Sequence, residues 1–263
     1  MTAIRTLQYG DHGSQHGELY QPAEQRVPGA AVVIHGGYWR DAYDASLGRP
    51  LARDLAAHGV PAWNLEYRRA GADGGGWPQT FADVAAGIDF LAGLLPEGAP
   101  VVLIGHSAGG HLASWAVSRP VLPPDHPAAG SWSSSKARVI AVISQSGLLD
   151  LGRARELRLS HDAVENLLGS EDRSAPDRRY QLADPLQLVP AACPVFAVHA
   201  EADVDVPWEL SENYVRAAQA AGGTAELIPA PGDHFDLIDS AAPAWTICRE
   251  LALTALRDDR RVA

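Results

Sequence analysis

Short apolar runs alternate with longer segments of helical periodicity from about residue 31 onward. Residues 31–35 (AVVIH) have the pattern of a strand, and residues 101–104 (VVLI) form a wholly apolar run, as expected for a central strand that is covered on both faces of a parallel sheet. Segments 47–58 and 80–95 instead repeat apolar residues every three or four positions, as amphipathic helices do. The alternation predicts βαβ units and an α/β protein with a mostly parallel sheet.

The rest of the chain continues this rhythm, with two interruptions. The pattern predicts further strands at 60–64, 139–144, 194–199 and 225–229, and further helices at 111–118, 208–221 and 244–257. Segment 120–136 is rich in Pro and Ser and segment 148–190 is long and charged, and such insertions are usually surface loops or lids. Thr80 is the predicted N-cap of the helix that follows it. The first 30 residues predict an antiparallel hairpin at the sheet edge.

No segment has the composition of a linker between domains. We therefore expect residues 1–263 to form a single α/β domain, which is within the size range of one-domain α/β proteins. A lid-like insertion is expected at about 148–190.

A candidate nucleophile follows the apolar run at 101–104. Residues 105–109 are Gly-His-Ser-Ala-Gly and match GxSxG, in which glycines permit a sharp turn that exposes the serine Oγ. This five-residue match is weak by itself. The strand before it and the helical segment 111–118 after it supply the strand–turn–helix setting that the motif requires. Ser107 is therefore the predicted nucleophile.

Attack by a serine on an acyl carbon places negative charge on the carbonyl oxygen, which needs preorganised N–H donors. His35-Gly36-Gly37 directly follows a predicted strand, and glycines allow backbone N–H groups to approach a ligand closely. We expect Gly36 and Gly37 to form one half of an oxyanion hole. The N–H of Ala108, the residue after the nucleophile, is expected to form the other half.

A histidine near the end of the chain is the predicted general base for Ser107. Imidazole suits this role because its ordinary pKa lies near 6.5. His234 follows the predicted strand 225–229, where the chain order serine, acid, histidine places the base. The histidines that flank the nucleophile, His106 and His111, lie on the turn and the helix, so we expect them to serve packing or loop hydrogen bonds.

The acid that orients this base should lie in the loop after the strand 194–199. That loop contains Glu201, Asp203 and Asp205. The middle of the loop should lie at the site, which favours Asp203, and Asp205 is its rival.

Metal catalysis is the competing chemistry, because several histidines could be imagined as ligands. The sequence contains no HExxH motif, no paired CxxC motif and no other recognisable ligand spacing. We therefore predict no metal and no cofactor.

Together these motifs resemble the α/β-hydrolase superfamily and, within it, the kynurenine formamidase (arylformamidase) and related esterase group. That group carries an HGGxW oxyanion motif, which stands here at residues 35–39, and a GHSAGGH motif, which stands at 105–111. The resemblance covers about residues 30–245. It implies the α/β-hydrolase fold, a central mostly parallel sheet flanked by helices. The site residues that it implies are the triad Ser107, Asp203 and His234, with Asp203 preferred to Asp205, and the oxyanion donors Gly36, Gly37 and Ala108.

The resemblance also implies a reaction, the hydrolysis of an N-formyl arylamine such as N-formylkynurenine to formate and the free amine through an acyl-enzyme. Segment 148–190 has no recognisable motif, and HGG elements also occur in general carboxylesterases, so a small-ester carboxylesterase is the alternative. A ligand-binding protein of this fold without turnover is a second alternative, against which a complete serine, acid and histidine set argues. Tyr38, Trp39 and Trp77 are candidate walls of an aromatic pocket, although such residues more often serve the core.

Composition narrows the partners to small molecules. The formal charge of −11 disfavours nucleic acid, which is bound mainly through Lys and Arg. The longest apolar runs, such as 30–34 and 139–143, have five residues and are too short to cross a bilayer. The first nine residues lack the apolar core of a signal peptide, so we expect a cytoplasmic protein without membrane partners. Cys193 and Cys248 are expected to be core residues of a protein in a reducing compartment.

Overall fold

The computed structural model describes residues 2–130, 137–169 and 178–259. The described part of the chain forms an eight-stranded sheet in the order β1-β2-β4-β3-β5-β6-β7-β8. Its strands are β1 Ala3–Gln8, β2 His16–Gln21, β3 Ala30–Ile34, β4 Ala62–Leu65, β5 Ala99–His106, β6 Ala137–Gln145, β7 Val195–Ala200 and β8 Ala225–Ala230. β2 pairs antiparallel with both of its neighbours, β1 and β4. Every other neighbouring pair of strands in this order is parallel. The predicted mostly parallel sheet and its N-terminal edge hairpin are confirmed.

Helices connect the parallel strands. They are α1 Arg49–Ala57, α2 Gln79–Leu94, α3 Ala108–Ala116, α4 Leu151–Glu156, α5 Leu159–Leu168, α6 Arg178–Ala183, α7 Trp208–Ala220 and α8 Pro243–Asp258. The predicted N-cap of α2 is wrong. Pro78 takes that position, while the Thr80 hydroxyl lies inside the helix, donates to the Arg68 carbonyl oxygen (2.6 Å) and accepts from the Gly76 N–H (2.9 Å). Thr80 therefore fixes the preceding loop to the helix start.

Side chains alternate between the two faces of the sheet along each strand, and helices bury both faces. On β3, Val32 and Ile34 join the core beneath α2, α3 and α7, while Ala31 and Val33 join the core beneath α1 and α8. Full burial of an aliphatic side chain of this size contributes about 1.5–3 kcal/mol. With both faces covered, the carboxyl ends of the strands and the loops that follow them are left as the place for a site.

The 148–190 insertion is more regular than a loop. Its described residues form α4, α5, α6 and a short 3₁₀ helix at Pro185–Leu188, and they pack into the same core as α3. Asp184 joins the two ends of the insertion, since its carboxylate accepts the N–H groups of Leu151 (3.2 Å) and Leu186 (3.1 Å). The remaining part, 170–177, lies outside the described residues, as does 131–136 of the predicted 120–136 interruption.

The described residues include no helix that is both long and apolar enough to cross a membrane. Cys193 is half-buried and Cys248 is buried, and both are free thiols. Each packs against one of the two hydrophobic cores, as the sequence predicted.

Candidate active site

Ser107 occupies the sharp turn between β5 and α3. Its backbone has φ 55° and ψ −118°, a left-handed conformation that a residue with a side chain rarely adopts. The turn is held by a hydrogen bond from the Ser107 N–H to the Gln145 carbonyl oxygen on β6 (2.8 Å). Strained backbone of this kind is a recurrent feature of functional sites, because neighbouring structure must over-determine it.

The flanking glycines allow α3 to start directly against the sheet. A Cβ atom at Gly105 would lie 2.1 Å from the Gly109 carbonyl oxygen. A Cβ atom at Gly109 would lie 2.0 Å from the Ile34 carbonyl oxygen on β3. Both glycines of the GxSxG match are therefore required by close backbone packing, and this packing positions the serine between them.

This packing predicts that Gly109→Ala is destabilising. The added methyl group must displace backbone atoms of β3, so we expect a loss of about 1–3 kcal/mol in the free energy of unfolding. Chemical denaturation monitored by circular dichroism measures this loss. Gly93→Ala is the matched control, because nothing lies within 4 Å of a Cβ atom there and alanine favours the helix. Equal stability of the two variants would contradict the close contact.

His234 and Asp203 form a short hydrogen bond, with 2.6 Å between Nδ1 and Oδ2. The other carboxylate oxygen of Asp203 accepts the N–H groups of Asp205 (2.9 Å) and Val206 (2.8 Å). Burial raises the pKa of Asp203, but its hydrogen bond to His234, the charge of that ring and the Val206 N–H outweigh burial and hold the pKa at about 2. The ionised carboxylate holds the proton of His234 on Nδ1 and leaves Nε2 to accept one.

Two further histidines support this pair. The sequence predicted packing or loop hydrogen bonds for His106, which the structure confirms, and it assigned no supporting role to His199. His106 donates from Nε2 to the backbone carbonyl oxygen of His234 (2.9 Å), which ties the base to the residue before the nucleophile. His199 donates from Nε2 to the Val206 carbonyl oxygen (3.0 Å) and accepts the Ser211 hydroxyl at Nδ1 (2.8 Å). These bonds fix the loops that carry His234 and Asp203.

Both supporting rings stay neutral near pH 7. Burial, followed by the charge of His234, lowers the pKa of His106 to about 3. Burial also lowers the pKa of His199. A neutral imidazole keeps one nitrogen as donor and the other as acceptor, which is the form that the two contacts of His199 need, whereas His106 uses only its Nε2 donor.

The loop after β3 packs directly against the nucleophile. A Cβ atom at Gly36 would lie 3.0 Å from the Ser107 Cβ and 2.8 Å from the His106 carbonyl oxygen. Gly37, with φ 106°, begins a run of left-handed residues that continues through Tyr38 (φ 49°) and Trp39 (φ 57°). This conformation brings glycine backbone to the place where the sequence predicts oxyanion donors, and Ala108 is buried at the first position of α3.

His35 stiffens this loop from behind. Its ring nitrogens contact the Gly36 carbonyl oxygen (2.8 Å) and Glu66 Oε1 (3.0 Å), and the ring stacks on Tyr67 at 4.4 Å. Burial raises the pKa of Glu66, yet its hydrogen bond to His35 and its backbone donors lower it overall, so the carboxylate is ionised. Glu66 and Tyr67 directly follow β4, and no motif or spacing in the sequence singles them out.

The structure brings one of the three candidate aromatic residues to the cavity. Tyr38 lines it and donates its hydroxyl to the Asp205 carbonyl oxygen (2.6 Å). Trp39 is fully buried and donates to His111 Nδ1 (3.2 Å). Trp77 packs edge-on against Phe81, with ring centroids 5.0 Å apart, in the core. The two tryptophans therefore support the loop and the core, and the lining role that the sequence suggested for them is corrected.

A cavity of about 180 Å³ joins these parts. It is lined by Gly37, Tyr38, Tyr43, Leu47, His106, Ser107, Ser160, Asp205, His234 and Phe235. Tyr43, Ser160 and Phe235 lay in predicted loops or in the insertion, where periodicity carries no information about contacts. Leu47 began the predicted helical segment 47–58, but in the structure it lies in a short 3₁₀ helix, Ala45–Gly48, just before α1. In the described ranges no group of three or more His, Cys, Asp or Glu side chains is placed to hold a metal ion.

Comparisons with known proteins agree with this geometry. Residues 18–217 match the BD-FAE family. The chain is 27% identical over 255 residues to a probable carboxylic ester hydrolase, LipM, of Mycobacterium tuberculosis, covering 91% of this chain and 58% of that protein. It is 25% identical over 242 residues to kynurenine formamidase of Salmo salar, covering 90% and 76%.

Solved structures share the fold at lower sequence identity. A truncated form of a carbohydrate esterase from gut microbiota superposes with a TM-score of 0.77 at 22% identity, covering 97% of this chain and 96% of that one. The chain spans little more than half the length of the ester hydrolase relative described above, at 58%. Because the family match covers most of its length, the chain belongs to the BD-FAE family and has the α/β-hydrolase fold.

Proposed function

We propose that this protein is a serine hydrolase that cleaves short-chain carboxylic esters of small molecules through an acyl-enzyme on Ser107. The observation that carries the proposal is the 2.6 Å bond between His234 and Asp203 beside a strained serine that lines the same cavity as His234. A nucleophile, a base and an orienting acid in one site are what acyl transfer needs. A protein that only binds a ligand needs no such set.

In the proposed reaction, the Ser107 Oγ attacks the ester carbonyl carbon while His234 Nε2 takes the hydroxyl proton. The backbone N–H groups of Gly36, Gly37 and Ala108 stabilise the resulting oxyanion. When the C–O bond breaks, His234 returns the proton to the leaving alkoxide, and the acyl group stays on Ser107. Water then attacks the acyl-enzyme with His234 as base, which releases the carboxylic acid and restores the serine.

The size of the cavity favours a short acyl group. At about 180 Å³ it is smaller than the pockets of about 300–1,000 Å³ that enclose drug-sized ligands. Leu47 and Gly37 line the cavity together with Ser107, whereas the lining residues Tyr43 and Phe235 are exposed at 46% and 57%. We infer that the acyl group is held inside while the leaving group extends toward solvent.

Arylformamidase activity is the second candidate. The HGGxW and GHSAGGH motifs and the likeness to a kynurenine formamidase favour it, and a formyl group is the smallest acyl group that the cavity could hold. Ester hydrolysis is the first candidate because the ester hydrolase relative is the more similar of these two sequences, at 27% against 25% identity.

A substrate panel on the purified chain separates these candidates. We expect kcat/KM to fall from p-nitrophenyl acetate through butyrate to octanoate, and to be at least about tenfold higher for the acetate than for N-formylkynurenine. A fluorophosphonate probe should label Ser107, as peptide mass spectrometry would show. Preference for N-formylkynurenine would select the second candidate, and absence of both labelling and turnover would refute the proposed function.

A further inference from the structure

The solvent side of the cavity combines aromatic rings with one carboxylate. Tyr38, Tyr43, Phe235 and Asp205 all line it, and Phe235 and Tyr43 are among the large apolar side chains that the described surface exposes. Exposed aromatic residues that converge on one concave place indicate a binding surface more than scattered ones do. The proposed hydrolysis uses none of these four side chains for chemistry.

Asp205 is held in place by its backbone, which leaves its side chain available at the rim. Its N–H donates to the Asp203 carboxylate (2.9 Å), and its carbonyl oxygen accepts the Tyr38 hydroxyl (2.6 Å). Asp205 is exposed, and within the described ranges its carboxylate forms no ion pair or hydrogen bond. Burial raises the pKa of the Tyr38 hydroxyl, and the negative charges of Asp205 and Asp203 raise it further. Because Tyr38 lines the cavity, the electrostatic field of these carboxylates extends to the cavity wall.

Asp205 is the one carboxylate among the described residues that line the cavity. None of the described residues that line the cavity is Lys or Arg. The Arg40 guanidinium, on the neighbouring loop, donates to the backbone carbonyl oxygens of Ser160 and His161.

We propose that Asp205, Tyr38, Tyr43 and Phe235 bind a cationic ammonium group on the leaving alcohol of the substrate. Aromatic faces attract such a cation through their quadrupole, and a carboxylate at the rim adds direct charge attraction. This specificity rests on the proposed function, since the ammonium group belongs to an ester that Ser107 cleaves. Anionic leaving groups are disfavoured by the same field.

Two isosteric esters test this specificity. They are 2-(trimethylammonio)ethyl acetate and 3,3-dimethylbutyl acetate, which differ in charge and hardly in shape. We expect kcat/KM to be about tenfold higher for the cationic ester, and Asp205→Asn to reduce this ratio to about twofold. Glu97→Gln is the matched control, because Glu97 is an exposed carboxylate before the amino end of β5, whereas Ser107 follows the carboxyl end of that strand, and this variant should keep the ratio. Added salt should lower the wild-type ratio.

A ratio near one, or a ratio that Asp205→Asn does not change, would overturn the assignment even if both esters are hydrolysed. Binding of the two esters to Ser107→Ala, measured by calorimetry, tests the rim without turnover. Tighter binding of the cationic ester there supports the assignment even if the proposed hydrolysis fails. Equal binding of the two esters counts against it. This measurement therefore separates failure of the ammonium site from failure of the proposed hydrolysis.

Discussion

Replacing Ser107 with alanine is expected to lower kcat for p-nitrophenyl acetate by about 10⁵- to 10⁶-fold, the loss typical of a removed serine nucleophile. Without Oγ no acyl-enzyme can form, and His234 has no proton to accept from residue 107. The rest of the cavity stays in place, so KM should change much less than kcat. Initial rates at high enzyme concentration, corrected for spontaneous hydrolysis, measure the residual activity.

Ser114→Ala is the matched control for this loss. Ser114 lies on α3, about two helical turns beyond Ser107. It is equally buried, and its hydroxyl has no hydrogen-bond partner among the described residues. Its removal should preserve both kcat and the melting temperature, because no buried partner loses a bond. If Ser107→Ala keeps more than about a hundredth of the wild-type kcat, the covalent mechanism is wrong.

The nucleophile illustrates what local pattern can predict. Its setting needs only a strand, a glycine-bounded turn and a helix, all of which lie within about 20 consecutive residues. The structure has this setting, with β5 before Ser107 and α3 after it. The alternation of strands and helices was predictable for the same reason, because periodicity records which face of each element is buried.

The choice between Asp203 and Asp205 shows where such patterns stop. The two aspartates are two residues apart in one loop, and spacing cannot tell which carboxylate turns inward. In the structure the N–H groups of Asp205 and Val206 both point at the Asp203 carboxylate, which fixes it against His234. That outcome depends on a turn conformation and on the position of a loop 31 residues later in the chain.

Trp39 fails prediction for a related reason. An aromatic residue beside an oxyanion loop can face the cavity or the core, and its φ of 57° decides between them. The ring turns into the core and its Nε1 donates to His111, a partner 72 residues away. Contacts between distant segments of the chain leave no periodic signal, and the same holds for Ser160, which the insertion brings to the cavity.

Replacing Asp203 with asparagine is expected to lower kcat by about 10⁴-fold while the fold remains intact. An amide in place of the carboxylate can donate its N–H to His234 Nδ1, which forces the ring proton onto Nε2. A protonated Nε2 cannot accept the proton of Ser107. The pKa of Asp203 is held at about 2, below its ordinary 3.8, so the wild-type carboxylate is ionised at every pH used for assays. Its stabilising contribution is therefore present above pH 3.8 and is lost as the pH falls through about 2.

The rate loss and this pH dependence distinguish an orienting acid from a merely structural one. At pH 7 we expect Asp203→Asn to be less stable than wild type by about 2 kcal/mol, and the difference to shrink toward pH 2. Glu201→Gln makes the same chemical change in the same loop on an exposed side chain, and it should keep kcat within about twofold and leave the stability unchanged. If Asp203→Asn loses stability but keeps its kcat, the carboxylate only supports the loop. If Glu201→Gln shows the larger rate loss, the orienting acid has been misassigned, because the 2.6 Å bond from Asp203 to His234 would then have no part in holding the base.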